Sequence, residues 1–268
     1  MTKIYATGTT GTIGKCLERN INSVNIDLTK NYTDDLAELL DPGGAFIHLA
    51  AIVGDDAIKR DLAVAKKVNC ESPIELAEIC LSKNFKKFVF VSTSHVYANS
   101  NEILHENSPI NPRGIYSEQK IEAEEKLIEL FSNSPEKLCI VRLFSILDWD
   151  MPDFTLGGAA RKLANTNSNF TLSNSDDTRD FLTPKTVAET LTKISLCDSL
   201  TGIVNLSTAT GTSIKEAIGI MFTESNLILQ NFRLLPGTSN FPTIIGSNYR
   251  LLSNLPDLDL NWQPSRFS

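Results

Sequence analysis

A short apolar run, Ile4-Tyr5-Ala6, breaks into Thr7-Gly8-Thr9-Thr10-Gly11-Thr12-Ile13-Gly14, and a helical pattern follows over Thr12–Asn20. A glycine-rich turn between a strand and a helix lets backbone N–H groups approach a pyrophosphate, whose charge the helix N-terminus favours. Gly8, Gly11 and Gly14 stand three apart, which is not the G-x-G-x-x-G of ordinary dehydrogenases. The other reading is a tight turn with no ligand. Three glycines in the first βα unit favour the dinucleotide.

The same alternation continues along the chain. Strands are predicted at Lys3–Thr7, Ser23–Asp27, Ala45–Ala50, Lys87–Ser92 and Leu138–Phe144. Helices are predicted at Asp34–Leu40, Pro73–Ser82 and Arg113–Phe131, the last with Ala123, Leu127, Leu130 and Phe131 on one face. Strands that are apolar throughout call for a parallel sheet covered on both faces, so the fold class is α/β, a Rossmann-type doubly wound sheet. After residue 145 the rhythm loosens. Helices are expected at Gly157–Ala164, Pro184–Leu196 and Ser213–Thr223, with strands at Phe170–Leu172 and Gly202–Leu206. Residues 1–145 therefore read as a nucleotide-binding domain, with 202–208 returning to the sheet and 146–268 forming a small substrate-binding lobe.

Composition removes several function classes. The net charge of −7 and the lack of a basic run argue against nucleic-acid binding. Three histidines without ligand spacing argue against a metal. No run of eighteen apolar residues suggests a membrane span, and no signal peptide is expected, since Gly8 ends the first apolar run. Five scattered cysteines read as reduced thiols and fit a cytoplasmic protein. A homodimer is the expected assembly.

Two further features carry chemistry. Tyr116 and Lys120 lie four apart, on one face of the predicted helix. A free tyrosine titrates near ~10, and a neighbouring ammonium favours the phenolate, which prepares Tyr116 for acid–base work. Val91-Ser92-Thr93-Ser94-His95-Val96-Tyr97 places hydroxyls at the C-terminal end of the most apolar strand, where open parallel sheets bind ligands. Thr93 there can donate a hydrogen bond to a substrate oxygen.

The Gly-x-x-Gly-x-x-Gly turn, His48-Leu49-Ala50-Ala51, Asn69, the Ser92–Tyr97 strand end and the Tyr116/Lys120 pair occur in that order. Arg179-Asp180-Phe181 and Asn261-Trp262-Gln263-Pro264 follow. Together they resemble the extended short-chain dehydrogenase/reductases, in particular the sugar-nucleotide epimerase/dehydratase/reductase group. The resemblance implies a catalytic triad of Thr93, Tyr116 and Lys120, with NAD or NADP as cofactor and a nucleotide-linked sugar as substrate. It implies cofactor contacts from Gly8, Thr10, Gly11, Thr12, Ile13 and Gly14, from Asp27 and Leu28, from Leu49, Ala50, Ala51 and Asn69, and from Lys120. Thr93, Ser94 and Arg179 would meet the substrate, Arg179 through a diphosphate. A surface salt bridge with its aspartate neighbours is the other reading of Arg179.

Departures from the group narrow the function. Ser94-His95 replaces the Asp-Glu that dehydrating members carry after the threonine, so 4,6-dehydration is not expected. His95 stands where some relatives keep a second acid/base residue, and a structural histidine is the alternative. Arg142-Leu143-Phe144-Ser145 departs from Arg-Pro-x-Asn, and the stretch from Gly14 to Ala45 is short, with one of two usual strands missing or merged. Asp27 can read an adenosine ribose, favouring NAD, or sit by the adenine. Lys15, Arg19 and Lys30 can accommodate the 2′-phosphate of NADP. These features favour a 4-keto-sugar-nucleotide reductase, with a 4-epimerase and a non-catalytic NAD(P)-binding sensor as alternatives.

Overall fold

The computed structural model describes residues 2–18, 21–165, 170–224, 232–235, 237 and 243–264. Six strands form one sheet: β1 (Ile4–Thr7), β2 (Asn22–Ser23), β3 (Ala45–His48), β4 (Lys87–Thr93), β5 (Leu138–Leu143) and β6 (Gly202–Leu206). Their order is β6-β5-β4-β3-β1-β2, and every neighbouring pair is parallel. The doubly wound fold expected from the sequence is therefore present, and β6 rejoins the sheet beside β5.

Side-chain alternation sorts the strands into two unlike faces. Tyr5, Phe46, Phe88, Phe90 and Ile140 point to one side, where they meet Leu36, Leu76, Ala77, Ala123, Leu127 and Phe131 from helices Thr33–Leu39, Ser72–Ser82 and Ile115–Leu130. Ala6, Ala45, Ile47, Val89, Val91 and Val141 point to the other, beneath Val187, Leu191 and Ile194 of helix Pro184–Leu196. Aromatic rings thus fill the face shared by three helices, and smaller side chains the face that one helix closely covers. With both faces buried, the strands need no polar alternation.

Three elements differ from expectation. After the glycine turn there is only a 3₁₀ turn, Gly14–Cys16, in place of a helix over Thr12–Asn20, whose last two residues lie outside the described ones. Leu17, Glu18 and Ile21 lie outside any helix. The second strand is Asn22–Ser23, shorter than Ser23–Asp27 and one residue earlier, with Val24 N–H still bonded to the Ala6 carbonyl at 2.8 Å. Among the described residues it is the one strand between Gly14 and Ala45, in line with the short segment there.

Helices Asp55–Arg60 and Leu62–Lys66 were not anticipated. They continue through a π-helical turn, Lys67–Glu71, into Ser72–Ser82. Pro73 has no N–H to give the carbonyl of Asn69, and a widened turn absorbs that missing bond.

Described segments within 145–182 and 212–224, with Thr243–Ile244 and Trp262, build a smaller layer. Ser145–Ile146 pairs with Phe181–Leu182, and Thr178–Arg179 lies between Thr212–Ser213 and Thr243–Ile244. A third core packs Leu147, Trp149, Ala160, Met221 and Phe222, using helices Leu156–Asn165 and Ile214–Glu224. Trp262 closes it, donating from Nε1 to the Leu147 carbonyl at 2.9 Å and packing 5.5 Å from the Phe181 ring.

Two glycines should respond oppositely to alanine. A Cβ on Gly14 would lie 2.1 Å from the Gly8 carbonyl oxygen and 2.5 Å from Thr9 Cα, both backbone atoms. A Cβ on Gly219, inside helix Ile214–Glu224, meets nothing within 4 Å. Gly14→Ala should cost about 1–3 kcal/mol or more by forcing the turn open. Gly219→Ala should add about 0.5–1 kcal/mol through helix propensity. Urea denaturation of the two variants checks both signs.

Candidate active site

The strand order reverses around β1, whose two neighbours are β2 and β3, and open parallel sheets bind ligands at the carboxyl ends of strands at such a point. A cleft of about 410 Å³ lies there. Gly8, Gly11, Thr12, Ile13 and Gly14 line one end, Leu49 and Ala51 follow β3, and Ser92 and Thr93 end β4. Tyr116 and Lys120 complete it from helix Ile115–Leu130. The glycine turn and the proposed triad thus share one cavity.

The turn is closed by backbone contact. Gly8 has φ +71°, and a Cβ on it would come within 2.6 Å of Ala50 N. Gly11 N–H bonds the Gly8 carbonyl at 3.0 Å. Because the following turn holds three residues, an anion here would depend on local N–H groups more than on a helix dipole. The turn fits a pyrophosphate on those terms.

Lys120 is 1% exposed, and its Nζ donates to the Val91 carbonyl at 2.9 Å while sitting 4.4 Å from the centre of the Phe90 ring. Burial pulls its ammonium down to about 7, against the opposing pull of Glu124 and then Cys70. Tyr116, 5.8 Å from Nζ at its ring centre, is raised by burial above the usual phenol range. This corrects the sequence expectation of a lowered phenol. The ammonium is turned toward Val91, and desolvation outweighs it.

Thr93 Oγ1 accepts the His95 N–H at 3.2 Å and so caps the 3₁₀ turn Ser94–Val96. Its own O–H is directed by no bond of that cap. His95 lies just outside the cleft. The protein packed around it, then Arg113 and Arg179, hold its imidazole below the ordinary histidine value. Its ring still meets solvent, which limits the drop. Arg113 Nη2 donates to the Ser94 carbonyl at 3.1 Å, and burial followed by the Arg179 charge brings its guanidinium to about 10. Arg179 donates to the Asp177 carboxylate at 2.9 Å and to the Thr178 carbonyl at 2.9 Å. Asp180 anchors that segment, accepting from Thr208 N at 2.7 Å, Thr208 Oγ1 at 2.8 Å and Ala209 N at 3.0 Å. Ala209 has φ +61°, a backbone conformation an alanine seldom adopts, and the Asp180 carboxylate helps hold it.

The remaining sequence candidates lie around the cavity. Asp27 is held by Thr29 N–H and, at 3.1 Å, by Lys30, and the Thr29 hydroxyl, then its N–H, then Lys30 bring its carboxyl to about 2. Leu28 packs its side chain into the core. Thr10 lines a separate surface hollow with Lys15 and Asn25, and Ala50 backs the glycine turn. Ser94 is buried and supplies its carbonyl to Arg113. Arg19 lies outside the described residues.

Asn69, buried on the π turn, grips both backbone groups of Ile52 at 2.8 and 2.9 Å and donates to Gln119 Oε1 at 2.8 Å. It ties the loop after β3 to the helix carrying Tyr116. Sequence reading missed Arg113, three residues before Tyr116, and the outer wall of Met151, Pro152 and Phe154. Only the position of Arg113 before that helix gave a signal. Among the described residues no group of three His, Cys, Asp or Glu can hold a metal ion, and no helix is long and apolar enough to cross a membrane.

The model of the NAD-dependent epimerase/dehydratase family matches residues 4–196. The chain belongs to that family. Among curated proteins it is similar to an uncharacterized UDP-glucose epimerase, YtcB, of Bacillus subtilis (strain 168), 31% identical over 116 residues. That match takes in 42% of this chain and 36% of the relative's length. Among solved structures it is similar to RMD of Pseudomonas aeruginosa, complexed with NADPH, with TM-score 0.82, 20% identity and 99% of this chain and 94% of that one covered. A UDP-glucose 4-epimerase of Thermus thermophilus, in complex with NAD, gives TM-score 0.79 and 17% identity over 97% and 95%. These two likenesses establish the fold.

His48, at the end of β3 beside the site, makes a pH dependence testable. Its Nδ1 lies 2.8 Å from Thr7 Oγ1, its ring stacks on Phe90, and Nε2 meets no partner among the described residues. Burial, then the Lys120 charge, lowers it to about 3. The unfolded chain therefore takes up a proton below ~6.5 that the folded one refuses, so stability falls as pH drops from about 6.5 toward 3. The slope from this group approaches ~1.4 kcal/mol per pH unit. His48→Leu should lose that slope between pH 6 and 4 in urea melts, while carboxylate contributions stay common to both proteins.

Proposed function

We propose that this chain is an NAD(P)-dependent reductase of a nucleotide-linked 4-keto sugar. The observation that carries the reading is the convergence of the glycine turn, Thr93, Tyr116 and Lys120 on one cleft, with Arg113, Arg179 and His95 gathered beside it. When bound, the nicotinamide supplies hydride to the keto carbon. The Gly8–Gly14 turn and Lys120 would hold that cofactor. Thr93 donates a hydrogen bond to the ketone oxygen, and Tyr116, protonated because burial raises it, gives that oxygen its proton. Arg113 and Arg179 attract the diphosphate of the sugar nucleotide. His95, largely neutral at pH 7, contributes a hydrogen bond, not a charge.

Reduction is favoured over epimerisation by the single short strand among the described residues between Gly14 and Ala45, by Ser94-His95 in place of an acid pair, and by the small layer after β5, read as the substrate lobe. The name of the Bacillus subtilis relative favours the epimerase alternative. A homodimer belongs to the same proposal.

With a 4-keto sugar nucleotide, the purified protein should consume NAD(P)H in one-to-one proportion to product. Interconversion of two alcohol-form 4-epimers without added NAD(P)H would replace the reductase by the epimerase. Cofactor binding without either turnover would leave the sensor. Tyr116→Phe should keep cofactor affinity within a few-fold and cut kcat by roughly 10²–10⁴, as loss of an acid–base group does.

A further inference from the structure

Tyr116 and Lys120 belong to a longer stripe. Glu124 follows at the same spacing on helix Ile115–Leu130, is 1% exposed, and meets Arg142 of β5, itself 3% exposed. Arg142 Nε lies 3.2 and 3.1 Å from the two Glu124 oxygens, and Nη2 lies 2.7 Å from Oε2. Ser92 Oγ donates to the same carboxylate. The remaining guanidinium edge donates to the Glu106 carbonyl at 3.1 Å, and its plane lies 4.8 Å from the Tyr97 ring centre. Every strong bond of the pair is satisfied.

A buried ion pair is weak evidence for stability, because desolvation offsets most of its attraction. Its position suggests another use. Lys120 holds the Val91 carbonyl and Glu124 holds the Ser92 hydroxyl, consecutive residues that lead directly to Thr93. Ser92 is also the register partner of Arg142 across β4 and β5. Two helix turns are thereby fixed against one strand end, and Tyr116 rides one turn further on.

We propose that Glu124, paired with Arg142, is a positioning residue that sets the height of Tyr116 against Thr93. The inference rests on reading Tyr116 and Lys120 as the acid–base pair. The groups acting on Lys120 are few: Tyr116 and Glu124 on its own helix, His48 on β3, Cys70 on the π turn, and from β4 the Phe90 ring and Val91 carbonyl. Glu124 opposes the effect of burial most strongly, so its removal lowers the lysine further.

The test uses ¹³C-lysine-labelled full-length protein, with the Lys120 Cε resonance assigned through Lys120→Arg and titrated with pH. Glu124→Gln and the double variant Glu124→Met/Arg142→Met are compared with wild type. The double variant removes both charges at similar volume, so it should fold even if the single one suffers from an unpaired guanidinium. The double variant, which also removes the opposing Arg142 charge, should titrate near wild type. It should lose kcat by about tenfold or more as Tyr116 shifts, with NAD(P)H affinity retained. Glu124→Gln should titrate at lower pH. The alkaline fall of kcat/KM should move the same way, since the ammonium is lost earlier. A folded double variant that keeps wild-type kcat would overturn the proposal and leave the pair a structural clamp. A shifted titration in a protein that turns over no sugar nucleotide would instead overturn the reductase reading and leave this one standing.

Discussion

A fully buried ammonium is the constraint around which this molecule is arranged. Lys120 has left water, so it needs oxygen at hydrogen-bond distance and charge nearby. The C-terminal half of β4 meets the first need with the Val91 carbonyl, two residues before the strand ends. The Phe90 ring offers its face, and Glu124 supplies the carboxylate. Those requirements fix how helix Ile115–Leu130 lies across the sheet. They therefore also fix where Tyr116 meets the glycine turn.

Burial decides the protonation of the pair. An opposite or like charge within a few ångströms shifts a titration by about 1–3 units, whereas full burial shifts it by up to about 3–5. Tyr116 rises and Lys120 falls, each because its charged form is the one the site disfavours. A neutral phenol ready to donate suits the delivery of a proton to a developing alkoxide. Positive charge is concentrated instead beside the cleft at Arg113 and Arg179, away from the apolar floor of Leu143, Ile146 and Val91.

Legibility in the sequence followed local determination. β1, β3, β4, β5 and β6 were readable because both faces of the sheet are buried, leaving continuous apolar runs. Glycines at 8, 11 and 14 marked the turn, since backbone there approaches backbone. A helix after it was expected from the helical pattern that follows the turn, whereas Leu17 and Glu18 already lie outside any helix. Helices within 55–71 were not predicted; Asp61 caps the second of them by accepting Val64 N–H at 3.0 Å. Thr93 was legible from its place at a strand's end and Tyr116 and Lys120 from their spacing of four, while their reading as a triad came from the family resemblance. Phe154 and Met151 reach the cleft from an irregular stretch before helix Leu156–Asn165, where no periodicity exists to be read. Asp27, an acid after the second strand, reads as a ribose or adenine contact, and in the folded chain Thr29 and Lys30 hold it while about half of its side chain stays exposed.

The grip of Asn69 on Ile52 has a consequence for how tightly anything can be held here. A free loop between β3 and the next helix would lose backbone freedom on meeting a ligand, at about 1–2 kcal/mol for each residue ordered. Asn69 fixes Ile52 by both its amide and its carbonyl and joins it to Gln119, so that ordering is already complete when the chain folds. A ligand entering beside Leu49 and Ala51 then meets a wall that does not have to be built. A single buried amide, turned inward by a proline-induced widening of its helix, moves an entropic cost from association to folding.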